Sequence, residues 1–176
     1  SLAGPEILSW RDDGSANSPG WSVRVVPNRN PVLRIEANMD VRADGMLESR
    51  EGLGAHEVII ETPVHDQPLQ ALDVDRLWRV FWAWRTRLQD LKRDRRFVSA
   101  VAFKNYGRQA GARLDHAHSQ LVAFSVTPPA LAEELRGAAR FIATTKRCIF
   151  CDLIEQEVKD GRRVICKNGS LLAIAR

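Results

Sequence analysis

Two histidines one residue apart, followed by a glutamine, form the segment of this chain best suited to chemistry: His116-Ala117-His118-Ser119-Gln120. A neutral imidazole can attack an electrophile, carry a proton or bind a metal, depending on which ring nitrogen is bare. The residues just before it, FKNYGRQAGARLD, supply a carboxamide at Asn105 and a turn through Gly107 and Gly111 that can expose backbone N–H groups. Such donors suit a phosphate and paired imidazoles suit a metal, so the residue types leave both chemistries open. Other candidates lie elsewhere. Asn28, Arg29 and Asn30 follow a strand-like run, where short polar side chains either stabilise a turn or face a ligand. His65 falls in the loop after HEVIIET. Cys148 and Cys151, in CIFC, can grip one metal ion through two thiolates at about 2.3 Å, although two ligands do not complete a site.

These groups need elements to hold them. LVAFSV, rich in β-formers, predicts a strand over Leu121 to Val126 with His116 to Gln120 at its start. Alternation then puts His116, His118 and Gln120 on one face, and Ala117, Ser119 and Leu121 on the other. Further strands are expected over Trp21 to Val26, ended by Pro27, over His56 to Thr62, which reads as central, and over Phe97 to Phe103. Asp73 suits the N-cap of a helix from Val74 to about Asp94. Its buried stripe is expected to be Val74, Leu77, Val80, Phe81, Trp84, Leu88 and Leu91, with Arg76, Arg79, Arg85 and Arg87 largely elsewhere. Asn38 to Gly54, polar and interrupted by glycines, reads as a mobile loop, and SLAGPEIL as the tail of something that began earlier. Pro128 and Pro129 start another helix. LIEQEV is helical, and ICKNGSLLAIAR resembles a hairpin.

Bulk composition sets the limits. A chain of 176 residues, 44% hydrophobic, can bury one sizeable core, with room for the start of a second domain. The net charge of +4 is dispersed and forms no basic tail, so nucleic acid is not indicated as a partner. No apolar run approaches the roughly 20 residues of a membrane span, and the first residues lack the pattern of a secretory leader. Cytoplasmic residence is expected. Three cysteines, two of them in CIFC, fit a metal knuckle or redox pair better than a disulfide framework.

Four segments in order resemble one family: GWSVRVVPNRNPVL, GAHEVIIETPVHDQPL, FKNYGRQAGARLDHAHSQ and CIFCDLIEQEVKDGRRVI. They are similar to the N-terminal half of the galactose-1-phosphate uridylyltransferase family, within the histidine-triad superfamily. The resemblance runs from about Pro5 to the end and is sharpest at HAHSQ. It implies an α+β fold, a histidine-triad-like half-barrel of antiparallel strands flanked by helices, with two such halves per subunit and usually a homodimer. Residues 1–146 would be the nucleotidyltransferase domain, and residues 147–176 a CxxC knuckle opening a second, incomplete half.

The resemblance also implies an activity. His118 would be the nucleophile that takes a nucleoside monophosphate, UMP foremost, from a nucleotide sugar and passes it to a second sugar 1-phosphate. Gln120 would donate to a phosphate oxygen, while Asn105 and Gly111 would bind the nucleotide phosphates. Asn28 and Arg29 would contact ribose and base. His65 and His116 match ligands of a structural zinc, and Cys148 and Cys151 match ligands of a second. Alternatives within the fold are a phosphorylase or hydrolase of nucleotide sugars or dinucleoside polyphosphates, or a truncated module that binds nucleotide without turnover.

The sequence departs from the family pattern in places. The CxxC expected to complete the first zinc site would lie upstream of Pro5, where none is seen, and the partners of the second would lie in the C-terminal half. Arg113 stands where a small hydroxyl residue is usual, and can either grip phosphate in bidentate fashion or turn outward. Ala117 replaces the usual Pro between the histidines.

Overall fold

The structure, a computed structural model, describes residues 4–175 and divides into two compact units, one ending at Thr127 and one beginning at Pro128. The first carries β1 (Leu8–Arg11), β2 (Trp21–Pro27), β3 (Val41–Asp44), β4 (Leu47–Arg50), β5 (Gly54–Ile60), α1 (Val74–Leu91), β6 (Ser99–Phe103) and β7 (His118–Phe124). Five strands form one sheet in the order β1-β2-β5-β7-β6, with every neighbour antiparallel. The α+β class and antiparallel sheet expected from the sequence are what the chain adopts.

Register divides the sheet into two unlike faces. Ile60 pairs with His118, Val58 with Gln120, and His56 with Val122. Directly paired residues share a face, so His56, His118 and Gln120 stand on the same side. The opposite side carries Val23, Val25, Ala55, Ile59, Leu121 and Ala123, which pack with Val80, Ala83 and Leu91 of α1 into the core. Burying a side chain such as Ile59 or Leu121 contributes about 2 kcal/mol. Ser119, also on the α1 side, is fully buried, and its Oγ accepts the indole N–H of Trp84 at 2.8 Å. The helix therefore covers the histidine-free face. Its N-cap is the expected one: Asp73 accepts from the backbone N–H of Arg76 at 2.8 Å.

Several elements differ from the sequence reading. The buried line of α1 is Val80, Ala83, Arg87 and Leu91, with Leu77, Trp84 and Leu88 packed against the core as expected, while Val74 and Phe81 are exposed. Arg87, expected off the stripe, is buried because β5 offers it a carboxylate. Its Nε and Nη2 donate to the two oxygens of Glu57 at 2.8 and 2.7 Å, and its Nη1 to Asp90 at 2.7 Å. Burial works against the Arg87 charge, yet the hydrogen bonds and charges of Glu57 and Asp90 hold its pKa above the ordinary value. The stretch expected as a loop from Asn38 to Gly54 instead contains the β3–β4 hairpin. Gly45, at φ 61, is the first central residue of its two-residue turn, a position that suits glycine. All eight strand residues of this hairpin are exposed, so no hydrophobic alternation announced it. β1, unread in the sequence, adds an edge to β2, and its Trp10 meets Trp78 and Trp82 edge-on at 5.3 and 5.0 Å. β2 retains Pro27, and β7 spans His118–Phe124 rather than Leu121 to Val126.

The second unit contains α2 (Pro129–Thr145), α3 (Ile149–Asp160), β8 (Val164–Asn168) and β9 (Leu171–Ile174). Its helices and hairpin are those expected. Glu157 of α3 is fully buried, and Arg163 answers it with a two-pronged ion pair. No helix among the described residues is long and apolar enough to cross a membrane.

The Arg87–Glu57 pair yields a stability prediction. Arg87→Ala strands a buried carboxylate and should cost about 3 kcal/mol. Urea unfolding reads this directly as a lower midpoint; an unchanged midpoint would mean that water reaches Glu57 and replaces the guanidinium.

Candidate functional site

His118 is the first residue of β7 and only 6% exposed. Its Nδ1 lies 2.8 Å from the backbone carbonyl of His116. A carbonyl only accepts, so Nδ1 carries the proton and the neutral ring is left with a bare Nε2. The side chain lines a cavity of about 470 Å³ together with His65, Lys104, Asn105, Arg108 and His116. A half-enclosed imidazole with a fixed tautomer, beside two cationic side chains, can attack an anionic phosphorus centre without first losing a proton.

His116 does not lie on the strand, contrary to the sequence reading; it occupies the bend ahead of β7. Its Nε2 is 2.6 Å from the carbonyl of Thr62, which fixes the proton there and bares Nδ1. That Nδ1 sits 3.1 Å from Nδ1 of His65. Two imidazoles converging on one point, one already oriented by a carbonyl at its far nitrogen, are the donor set and outer support that zinc takes from histidine. The pair thus fits half of a tetrahedral site.

The loop in front of the histidines is held by its own amide. Asn105 donates from Nδ2 to the carbonyl of Ala110 at 2.6 Å, closing the turn and leaving Oδ1 for other partners. Gly111 ends this turn at φ 87, a left-handed conformation that favours glycine. Arg113 is exposed and does not line the cavity, whereas Arg108 of the same loop does. Lys104, not singled out from the sequence, reaches back from the end of β6. Its Nζ donates to Glu61 Oε2 at 2.7 Å and to the carbonyl of His118 at 2.9 Å. The available signal was its place, directly after an apolar strand and beside Asn105.

Gln120 follows His118 on the same face, and its Oε1 lies 2.8 Å from Nε2 of His56. Asn28, just past β2, has its Nδ2 2.9 Å from the same His56 nitrogen, while Arg29 is exposed. Sequence reasoning treated His56 only as the start of a strand. Its alternation with Val58 and Ile60, opposite the HxHxQ strand, was the missed signal.

In the second unit, Cys148 is the N-cap residue of α3 and Cys151 lies in its first turn. The backbone N–H of Cys151, then its S–H and the N–H of Phe150, draw the Cys148 thiol below its ordinary value. The Cys151 thiol, donating to Cys148, is pushed up. A thiol drawn toward its thiolate form beside a second sulfur is half of a thiolate metal site. Among the described residues, neither this pair nor the histidine pair belongs to a larger cluster of His, Cys, Asp or Glu able to hold a metal.

Known proteins are similar to this chain over much of its length. An ADP-glucose phosphorylase of Arabidopsis thaliana is 29% identical over 173 residues, 97% of this chain and 47% of that protein. A galactose-1-phosphate uridylyltransferase of Streptomyces lividans is 32% identical over 151 residues, 85% of this chain and 38% of that protein. The crystal structure of an ADP-glucose phosphorylase from Arabidopsis thaliana with bound ADP-glucose superposes with a TM-score of 0.78 at 26% identity, covering 97% of this chain and 50% of the other. The chain therefore spans about half the length, or less, of these relatives. The matching portion includes the whole sheet from within β2 onward, with the paired histidines and the glycine turn in it. Residues 24–128 match the family described as "Galactose-1-phosphate uridyl transferase, N-terminal domain", and the chain belongs to that family.

Proposed function

We propose that this chain carries the nucleophile of a nucleotide-sugar nucleotidyltransferase, with His118 as the residue that becomes nucleotidylated. The observation that carries the reading is the His118 Nδ1–H bond to the His116 carbonyl, which keeps Nε2 bare in a cavity shared with Lys104 and Arg108. In the first step Nε2 attacks the α-phosphorus of the nucleotide sugar. The N–P bond forms as the P–O bond to the sugar phosphate breaks, and the sugar 1-phosphate leaves with the electron pair. In the second step a phosphate oxygen of the acceptor attacks the same phosphorus and the N–P bond returns its pair to Nε2. The ring thus needs no base to start and ends as it began.

Charge shifts onto phosphate oxygens during both transfers, so nearby donors matter most. Gln120 would supply one from its amide, and Asn105, Gly111 and Arg108 would serve the phosphates at the glycine turn. Asn28 and Arg29 would meet the nucleoside, and Arg113, on the outside of that turn, can reach phosphate only from the exposed side. A sugar 1-phosphate as acceptor gives uridylyl exchange. Inorganic phosphate as acceptor gives phosphorolysis, a second reading supported by likeness over nearly the whole chain to a relative named ADP-glucose phosphorylase.

Zinc belongs to the same proposal. His65 and His116 would hold one ion and Cys148 with Cys151 another, each completed by ligands beyond these pairs. A bound zinc would supply a structural cross-link, fixing the bend from which His116 offers its carbonyl to His118.

Incubation with UDP-glucose or ADP-glucose labelled at the α-phosphate should leave acid-labile label on the protein, lost in His118→Ala. Absence of label from both sugars would overturn the reading, and the products then separate sugar exchange from net phosphorolysis. Gln120→Ala should slow labelling by roughly 100-fold. For the metal, dialysis against zinc followed by elemental analysis should show less retained by His65→Ala or His116→Ala, and less again when Cys148 and Cys151 are both changed to Ser; equal retention would remove zinc from the proposal.

A further inference from the structure

His56 lies outside every role assigned above, yet three groups from three different segments meet on its ring. The backbone N–H of Val32 donates to Nδ1 at 3.1 Å. Nδ1 must then be bare and Nε2 must carry the proton of the neutral ring. At Nε2 the neighbours are Gln120 Oε1 at 2.8 Å and Asn28 Nδ2 at 2.9 Å. Only the oxygen can receive that proton, so the Nε2–H bond goes to Gln120. This settles which way the Gln120 carboxamide points: its oxygen is engaged by His56, and its NH2 is turned to the other side with both N–H groups to give.

Asn28 is constrained in the same sense. Its Oδ1 accepts from the backbone N–H of Asn30 at 2.9 Å, and its own backbone N–H donates to the carbonyl of His56 at 2.8 Å. With the Nε2 proton committed to Gln120, that nitrogen has no lone pair for Asn28, and the Asn28 NH2 keeps its donors. Two carboxamides thus have their oxygens engaged and their NH2 groups unspent around one imidazole, on the sheet face that α1 leaves open. Each NH2 suits a ligand group that only accepts: the phosphate of a nucleotide at Gln120, and an acceptor of the nucleoside at Asn28.

We propose that His56 is a positioning residue for nucleotidyl transfer: it orients the NH2 of Gln120 toward the phosphate and ties the loop 28–32 to the strand that carries His118. The inference rests on the reading of His118 and Gln120 given under Proposed function. It accounts for a half-buried polar ring on the open face of β5, in line with Val58 and Ile60 and with all three of its polar neighbours within hydrogen-bond reach. It also gives Gln120 a defined direction, since an unrestrained carboxamide could present oxygen to phosphate as readily as nitrogen.

The test is a double-substitution cycle on the rate of His118 labelling by nucleotide sugar in the intact chain. His56→Phe keeps the ring's bulk and removes both nitrogens. It should slow labelling by tens of fold, with kcat falling more than KM, because the oriented donor matters most as charge shifts. The pair His56→Phe with Gln120→Ala should be no slower than Gln120→Ala alone. His56→Gln, which retains a donor and an acceptor, should recover most of the lost rate. Multiplicative effects, or a His56→Phe protein that labels as fast as the parent, would overturn the proposal. Nitrogen NMR of the imidazoles gives a readout that needs neither turnover nor a folded variant: the His56 ring should be the Nε2–H tautomer, and the Nδ1–H form would overturn the proposal on its own. If His118→Ala still labels, the reading of the nucleophile fails, whereas loss of label there with additive His56 and Gln120 effects sinks only the role of His56.

Discussion

The antiparallel register of β5 against β7 is the constraint on which the rest of the site depends. Ile60 opposite His118, Val58 opposite Gln120 and His56 opposite Val122 bring three polar side chains to one side of a sheet whose other side packs a mainly apolar core against α1. A slip of one residue would carry His118 and Gln120 into the α1 interface and expose Ile59 or Leu121. The ladder continues past the strand ends: the N–H of Glu61 donates to the carbonyl of Ala117 at 3.1 Å, and Lys104 spans from the His118 carbonyl to the Glu61 carboxylate. The start of β7 at His118 is therefore held on both flanks.

The helix side enforces the same register with charge as well as volume. Glu57 sits next to His56 in sequence, on the opposite face, with its carboxylate engaged by Arg87 through two hydrogen bonds. Rotating β5 to the wrong face would leave a buried guanidinium and a displaced carboxylate each without a partner, which costs far more than losing an apolar contact. Trp84 reads β7 in a similar way, through its bond to the buried Ser119 hydroxyl. Polar groups within the packed interface thus decide which residues of each strand are free for the open face.

Alternation was enough to put His118 and Gln120 on one face and Ser119 and Leu121 on the other, because a strand period is a local property. It failed for His116, which lies in the bend ahead of the strand, where no two-residue period applies. The stripe of α1 was right at Leu77, Val80, Trp84, Leu88 and Leu91. It was wrong at Val74 and Phe81 for a different reason: helical spacing fits several lines of residues, and the buried line of the fold also takes in Ala83 and Arg87 because Glu57 waits on the sheet. The exposed β3–β4 hairpin had no buried face to pattern it. Lys104 and His56 were passed over because their importance comes from partners 14 and 64 residues distant, at His118 and Gln120.

Three histidines illustrate why residue type alone could not separate the roles. Each ties one ring nitrogen to a backbone group, and the polarity of that group determines what the other nitrogen can do. A carbonyl at His118 Nδ1 bares Nε2 toward the cavity's side, and a carbonyl at His116 Nε2 bares Nδ1 beside His65. At His56 the backbone partner is instead the N–H of Val32, which reverses the outcome and turns Nε2 into a donor for Gln120. One residue type thus presents two bare lone pairs and one donated proton, and a backbone atom selects among them; the proposed nucleophile, metal ligand and positioning residue follow from that selection. Loops that present those backbone groups, 62–67, 115–117 and 28–32, are then as much a part of the site as the imidazoles themselves.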